Sequence, residues 1–209
     1  MHRLLRTALL AGMLVAATPR AAQSYDTDSL LEVYAAAISR HTSFQAPFTQ
    51  SRYIAMFEQP LVSTGTISFS HPGSIKLHYR SPFEAAIVLR EGDMQRYRRQ
   101  DGAWVAQPSL EIVTKAITGE MARWFAADFT SNFPYDVSVV ADNPRHLRLR
   151  PRNAAAKTLF EAIELRFPEE PDYIEKVKLI ETSGDSIVIE HGTPSFEPLE
   201  EKIFTIDGK

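Results

Sequence analysis

Cysteine is absent from all 209 residues of the sequence. Disulfides, thiolate nucleophiles and zinc–thiolate sites are therefore excluded, and no cysteine is present to receive a lipid anchor. Glycine is also scarce, with nine residues, and Gly92, Gly102 and Gly119 each stand alone. Isolated glycines do not form the glycine-rich loops that bind phosphate. The fold must therefore be stabilised by the burial of apolar side chains, without covalent cross-links.

Long apolar runs are missing as well, because no stretch approaches the ~20 residues that a membrane-spanning helix needs. The apolar residues 8–17 follow the basic residues His2, Arg3 and Arg6 and precede small residues that end at Ser24. This order predicts a cleavable secretory signal over residues 1–24, with cleavage after Ser24 or, alternatively, after Ala22. Residues 25–209 are then predicted to form one exported, soluble domain.

Positive charge is in short supply, since 23 lysines and arginines face 26 acidic residues and the net charge is −3. Removal of the three arginines in residues 1–24 would make the domain more acidic. This balance argues against partners such as nucleic acid or anionic membrane surfaces. A small basic cluster at Arg90, Arg96, Arg98 and Arg99 is most simply a solvated face, and a docking patch for an acidic partner is the alternative.

Two segments carry apolar residues at helical spacing. Residues 26–41 predict an N-terminal helix, which begins either with a capping box formed by Ser29 and Glu32 or with Asp26 or Asp28 as its cap. Residues 109–127 predict a second helix in the middle of the chain. The apolar positions of the first helix are Leu30, Leu31, Tyr34, Ala37 and Ile38, and those of the second are Leu110, Val113, Ile117, Met121, Trp124 and Phe125.

Most of the remaining chain alternates apolar and polar residues, which is typical of antiparallel strands with one buried face. The predicted strands lie at residues 44–48, 65–70, 75–79, 85–89, 94–99, 103–105, 134–140, 146–151, 159–167, 173–181, 186–191 and 202–206. A long open sheet curls because its strands twist. We therefore predict an α+β fold, mainly β, in which helices cover a strongly curved antiparallel sheet and leave an apolar cavity.

No set of residues indicates catalysis or metal binding. The histidines of the predicted domain, His41, His71, His78, His146 and His191, are not paired at metal-binding spacing, so each is expected on the surface or in a turn. Nucleophile-elbow, S-x-x-K and P-loop motifs are missing. We therefore expect no enzymatic activity, no cofactor and no metal; an unrecognised hydrolase would require a histidine and a carboxylate that converge in one pocket.

Four motifs in the first half of the chain resemble those of a known family. FQAPFTQ at residues 44–50 is similar to the F-x-A-x-F-x-Q signature of the periplasmic outer-membrane lipoprotein carriers, the LolA family with its related receptor LolB. GTISF at 65–69 and the segment 71–79 resemble the two strands that follow in that family, and the segment 82–92 resembles its next hairpin. The second half agrees only in pattern, and ends in a predicted strand at 203–206.

This resemblance implies a half-open antiparallel barrel of about eleven strands, closed by helices, in which a lipoprotein-carrier-like domain spans residues 25–209. The implied function is to hold acyl chains of lipoproteins, or of a related lipid, and to shuttle them through the periplasm as a monomer. The implied partners are the cargo, an inner-membrane releasing complex and an outer-membrane receptor. The alternative is a binding or sensor module that regulates an envelope-stress or surface-polymer pathway.

The same resemblance suggests which residues line the cavity. His71 replaces the family's arginine before the turn proline, a residue that latches the lid by hydrogen bonds. Histidine is mostly neutral at pH 7 and has fewer donors, so the latch is expected to be weaker or differently made. The predicted lining from the sheet is Phe48, Ile67, Phe69, Leu77, Tyr79, Ile87 and Leu89, and from the lid it is Leu110, Val113, Ile117, Met121, Trp124 and Phe125.

Overall fold

The computed structural model describes residues 25–108, 112–129 and 133–206, so the predicted signal at residues 1–24 lies outside it. In chain order its elements are α1 (Thr27–Ile38), β1 (Ser43–Tyr53), β2 (Leu61–Ser70), β3 (Ser74–Ser81), β4 (Ala85–Arg90), β5 (Asp93–Gln100), β6 (Ala103–Ala106), α2 (Ile112–Phe125), β7 (Tyr135–Val140), β8 (Asn143–Pro151), α3 (Ala154–Lys157), β9 (Phe160–Arg166), β10 (Lys176–Glu181), β11 (Ser186–His191) and a 3₁₀ helix (Glu201–Phe204).

The strands form one antiparallel sheet of eleven, in the order β6-β5-β4-β3-β2-β1-β11-β10-β9-β8-β7. The first and last strands meet in its middle, where Phe48 of β1 lies opposite His191 of β11. β6 and β7 are the two edges, and α2 lies in the chain segment that joins them. The curved, unclosed antiparallel sheet with covering helices confirms the predicted fold class.

One face of the sheet is apolar because its strands alternate as the sequence predicted. Ile75 and Leu77 of β3 are buried and lie opposite Leu89 and Ile87 of β4. Full burial of each such side chain contributes about 1.5–3 kcal/mol. These residues belong to one core cluster that also contains side chains of α1 and α2. The two helices therefore cover the concave face of the sheet and pack against its apolar side chains.

The first helix begins after Asp26, which is one of the predicted alternative caps. Asp26 is the N-cap, and its side chain accepts hydrogen bonds from the backbone N–H groups of Asp28 and Ser29. The helix ends at Ile38, three residues before the predicted end. Tyr34 anchors it to the sheet, because its ring stacks on Phe167 at a centroid distance of 4.0 Å. The Tyr34 hydroxyl also donates a 2.6 Å hydrogen bond to a backbone carbonyl at residue 144.

The second helix, α2, lies within the predicted segment and continues through Gly119. A further short helix at Ala154–Lys157 had not been predicted; Asn153 caps it by accepting a 2.7 Å hydrogen bond from the backbone N–H of Ala156. No helix in the described ranges combines the length and the apolar composition that crossing a membrane requires.

The prediction of a strand at residues 202–206 is wrong. This segment forms the 3₁₀ helix and then crosses the convex face of the sheet, where Ile206 packs against Ala86, Val88 and Tyr97. The Lys76 ammonium donates to the Thr205 carbonyl at 2.9 Å and fixes the crossing. Strands β2 to β5 already pair on both sides, so they offer no free edge to another strand. The alternation of residues 202–206 therefore reflects packing on a face and not strand pairing.

Candidate functional site

The helix α2 covers the part of the concave face formed by β1, β2 and β11, and Phe125 is its central contact. The Phe125 ring packs edge-on against Phe44 at 4.9 Å and against Phe69 at 5.7 Å between centroids. It also packs against the His191 imidazole at 5.7 Å. Such aromatic pairs contribute about 0.5–1.5 kcal/mol beyond the area that they bury. We call α2 the lid.

The structure brings most of the predicted lining residues together. From the sheet, the buried members of the core cluster are Phe48, Ile67, Phe69, Leu77, Ile87 and Leu89; from the lid they are Ile117, Met121, Trp124 and Phe125. Tyr79 is partly buried against the same cluster. Leu110 and the side chain of Val113 lie outside the described residues. A role of this set in holding a ligand stays a prediction, as does the apolar cavity.

Tyr79 introduces a hydrogen-bonding group at the border of this apolar set. Its hydroxyl donates to Gln50 Oε1 at 3.1 Å, and its ring packs edge-on against Phe48 at 5.2 Å. Burial raises the pKa of Tyr79 to about 12, and the nearby Arg96 opposes this shift. The phenol therefore remains a neutral donor at neutral pH.

His191 is buried beneath the lid, so the expectation of a surface or turn position is wrong for this residue. Its Nδ1 lies 2.7 Å from the backbone carbonyl oxygen of Ile174. Because a carbonyl only accepts hydrogen bonds, Nδ1 must carry the proton. Burial lowers the pKa of His191 to about 4, against the opposing effect of that hydrogen bond. The ring is therefore neutral at pH 7.

The other ring nitrogen, His191 Nε2, is buried and has no hydrogen-bond partner among the described residues. The sequence carries a signal for this placement. In SIVIEH, the period of two puts His191 on the same face as Ile187 and Ile189, which are both buried. A histidine that continues an apolar alternation belongs to the core side of a strand.

The lid itself contains one further buried polar atom without a partner in the described structure, Trp124 Nε1. The Trp124 side chain is fully buried, with 0% relative exposure. Burial raises the pKa of Glu120, although the neighbouring Arg123 opposes the shift. Glu120 faces Tyr135 of β7, where burial and then the carboxylate raise the pKa of the phenol. The lid–sheet interface thus combines apolar contacts with unmet hydrogen-bonding groups.

The predicted latch, His71, is exposed in the turn between β2 and β3. Its backbone N–H donates to the Thr42 carbonyl at 2.8 Å. The same turn touches the lid, because a Cβ atom added at Gly73 would lie 4.0 Å from the Ala122 Cβ. His71 therefore lies beside a point where lid and sheet meet, and its role as a latch stays a prediction.

Two pockets of about 470 and 480 Å³ lie along the C-terminal segment and not beneath the lid. The first is bounded by the turn that contains His71, by Arg90 and by Phe204. The second lies between the convex side of β4 and β5 and residues 204–206. Both are lined by polar and apolar groups together.

The convex face of the C-terminal strands is charged. Glu164 of β9 accepts hydrogen bonds from Arg148 Nε at 2.9 Å, and its other carboxylate oxygen lies 3.1 Å from His146 Nε2. Burial pushes the pKa of Glu164 upward, but these two partners outweigh it and hold the pKa below its usual range. In the described ranges, no group of three or more histidine, aspartate or glutamate side chains is arranged to hold a metal ion.

The predicted basic cluster does not form a single patch. Arg90 pairs with Glu201 at 3.6 Å, as expected for a solvated residue. Arg98 instead lies over the Phe83 ring, 4.9 Å from its centroid, and Arg99 lies over Trp104 at 5.3 Å. Arg98 and Arg99 therefore pack against aromatic rings on opposite faces of β5.

Comparison with known protein families gives a match over most of the chain. The sequence model of the family described as "Outer membrane lipoprotein carrier protein LolA" matches residues 39–207. Among curated proteins, none matches the sequence.

The fold is similar to several crystal structures at low sequence identity. An uncharacterized conserved protein from Thermus thermophilus is 10% identical, with a TM-score of 0.50 over 86% of this chain and 93% of that one. A LolA superfamily protein from Nitrosomonas europaea is 11% identical, with a TM-score of 0.45 over 88% and 99%. The MucA/MucB complex structure from Pseudomonas aeruginosa is 19% identical, with a TM-score of 0.39 over 87% of this chain and 61% of that one. At such identities the likeness concerns the fold.

Proposed function

Because this chain belongs to the outer membrane lipoprotein carrier (LolA) family over residues 39–207, we propose that it carries acylated cargo through the periplasm. The cargo is a lipoprotein or a related lipid, whose acyl chains lie between the concave face of the sheet and the lid. An inner-membrane releasing complex supplies the cargo and an outer-membrane receptor accepts it. The protein acts as a soluble monomer after removal of residues 1–24, and no reaction or cofactor is needed.

The observation that carries this proposal is the apolar attachment of the lid. Phe125 contacts the sheet through aromatic rings at Phe44 and Phe69, and Met121 is buried in the same cluster. An acyl chain can replace such contacts with others of the same chemistry, because apolar association is not directional. The lid can therefore exchange its own side chains for cargo without breaking an ion pair.

The energetics of this exchange suit a carrier that must also release. Burial of acyl chain contributes about 0.8 kcal/mol per methylene, so roughly fifteen methylenes would give about 12 kcal/mol in isolation. Several fully buried chains would exceed the practical ceiling of about 20 kcal/mol for non-covalent binding. Displacing Phe125 and its neighbours offsets part of this gain. The net affinity then stays low enough for cargo to be passed on.

A disulfide that fastens the lid tests the proposal directly. Gly73→Cys with Ala122→Cys places two thiols where the Cβ atoms are 4.0 Å apart, within the range of about 3.5–4.5 Å seen in disulfides. The chain has no other cysteine, so only this bridge can form. We expect the oxidised double variant to load a fluorescent fatty acid or an acylated lipoprotein at least about 100-fold more slowly than wild type, and dithiothreitol to restore loading.

The two single-cysteine variants, treated with the same oxidant, are the controls and should load normally. If the oxidised double variant loads cargo at the same rate as wild type, cargo does not enter beneath the lid. Extraction of protein purified from the periplasm, followed by mass spectrometry, should also release bound lipid. Lipid-free protein that binds one protein partner tightly and transfers nothing would instead favour the binding or sensor module.

A further inference from the structure

We infer that the lid–sheet interface contains a polar subsite, with His191 Nε2 as its acceptor, that selects acyl chains bearing a hydroxyl or amide group. This inference rests on the proposed function, because it assumes that acyl chains enter beneath the lid. It names the class of cargo more narrowly: a chain with a hydrogen-bond donor within its apolar part.

The tautomer of His191 is fixed by its surroundings. Nδ1 is held 2.7 Å from the Ile174 carbonyl oxygen and must donate its proton there. Nε2 is therefore a bare lone pair, and it is buried without a partner among the described residues. A buried acceptor is costly unless a donor reaches it. A chain of methylenes cannot supply that donor, whereas an O–H or N–H group can.

The position of His191 places this acceptor in the path of the cargo. It lies on β11 opposite Phe48 of β1, in the middle of the sheet and on its concave face. The lid residue above it is Phe125, with its ring centroid 5.7 Å from the imidazole. Movement of the lid would therefore uncover His191 together with the apolar residues around it.

The lid contributes a buried hydrogen-bond donor that has no acceptor among the described residues. Trp124, next to Phe125 in the sequence, is fully buried, and its indole N–H has no acceptor among the described residues. A hydroxyl or a secondary amide both donates and accepts hydrogen bonds, so one such group type can satisfy either residue. A plain hydrocarbon satisfies neither. Sites with buried polar groups discriminate strongly against ligands that leave those groups unpaired.

The test compares the binding of octadecanoic acid, 3-hydroxyoctadecanoic acid and 12-hydroxyoctadecanoic acid to the full-length mature protein by isothermal titration calorimetry. We expect at least one hydroxylated probe to bind wild type about tenfold more tightly than octadecanoic acid, a fold-change typical of one hydrogen bond. His191→Phe should bind all three probes equally, within about twofold. His78→Phe, which changes a histidine on the convex face, is the matched control and should keep the tenfold preference.

A measurement on the wild-type protein covers the case in which His191→Phe does not fold. In ¹⁵N NMR spectra, the Nε2 resonance of His191 should shift when the preferred hydroxylated probe is added and not with octadecanoic acid. Equal binding of all three probes to wild type, or an unchanged preference in His191→Phe, would overturn the subsite and leave the carrier proposal intact. Failure of every probe to bind would overturn both.

Discussion

Two helices cover the same concave face, and they are attached to it differently. α1 is held by the stacking of Tyr34 on Phe167 and by the hydrogen bond from the Tyr34 hydroxyl to a backbone carbonyl. Tyr25, just before the N-cap, donates a second hydrogen bond to the Asp142 carbonyl. α2 contacts the sheet mainly through aromatic and aliphatic side chains, and it buries Trp124 Nε1 without a partner among the described residues. Directional contacts with satisfied polar groups favour one fixed position. We therefore expect the same amphipathic pattern to produce a fixed helix in α1 and a more easily displaced helix in α2.

The largest expected effect tests the anchoring of α1. Tyr34→Ala removes a side chain that is 3% exposed, together with its ring stacking and its hydrogen bond. We expect the free energy of unfolding to fall by about 4 kcal/mol, as for other large-to-small core substitutions. Urea denaturation followed by circular dichroism measures this change.

Val33→Ala provides the matched control on the same helix, because Val33 is 56% exposed. Its unfolding free energy should stay within about 0.5 kcal/mol of wild type. A loss below about 1 kcal/mol in Tyr34→Ala would show that α1 is as loosely attached as α2.

The second prediction tests how the burial of His191 beneath α2 makes the unfolding free energy depend on pH. His191 has a pKa of about 4 in the folded protein and about 6.5 when unfolded, so the unfolded chain binds more protons between these values. The stability contributed by neutral His191 is complete above pH 6.5 and is lost as the pH falls towards 4. We expect wild type to lose roughly 3 kcal/mol of unfolding free energy over this window because of His191.

His191→Phe should lack this loss, whereas His71→Gln, which changes an exposed histidine, should retain it. The comparison uses urea denaturation at intervals between pH 7 and pH 4. Parallel pH profiles for wild type and His191→Phe would mean that His191 does not become protonated on unfolding in this range.

The smallest effect concerns the motion of the two helices in the intact protein. We expect backbone amides of α2 to exchange with solvent deuterium at least about tenfold faster than those of α1 at pH 7, because local opening is easiest where directional contacts are few. Hydrogen exchange followed by mass spectrometry resolves the two helices as separate peptides. Equal protection of both helices would remove the distinction between anchor and lid.

The sheet was predictable from the sequence because alternation is a local property. Each segment with a period of two, such as residues 75–79, became a strand with the expected buried face, apart from residues 202–206. The motif glycine at Gly65 has a physical reason that only the structure supplies. A Cβ atom there would collide with the His78 carbonyl oxygen on the neighbouring strand and would lie 2.9 Å from the Phe48 ring.

What the sequence could not supply depends on contacts between distant segments. Phe204 and Ile206 alternate like strand residues, but whether a free sheet edge exists for them is decided by the pairing of the whole sheet. The protonation and lack of partner at His191 depend on Ile174 and on the lid above it. The buried faces of the sheet and of α2 could be named from their periodicity, whereas the unmet polar atoms between them required coordinates.

The pairing of β1 with β11 also determines how the chain must assemble. The sheet consists of two meanders, β1 to β6 and β7 to β11, each built from hairpins between neighbours in sequence. They join where β1 meets β11, as in the pairing of Phe48 with His191, residues far apart in the chain. Local hairpins close quickly, whereas distant pairing must first overcome an additional loop-closure entropy and is expected to form later. We therefore expect the pairing of β1 with β11 to be the slow step of folding, and the segment that connects the two meanders contains α2.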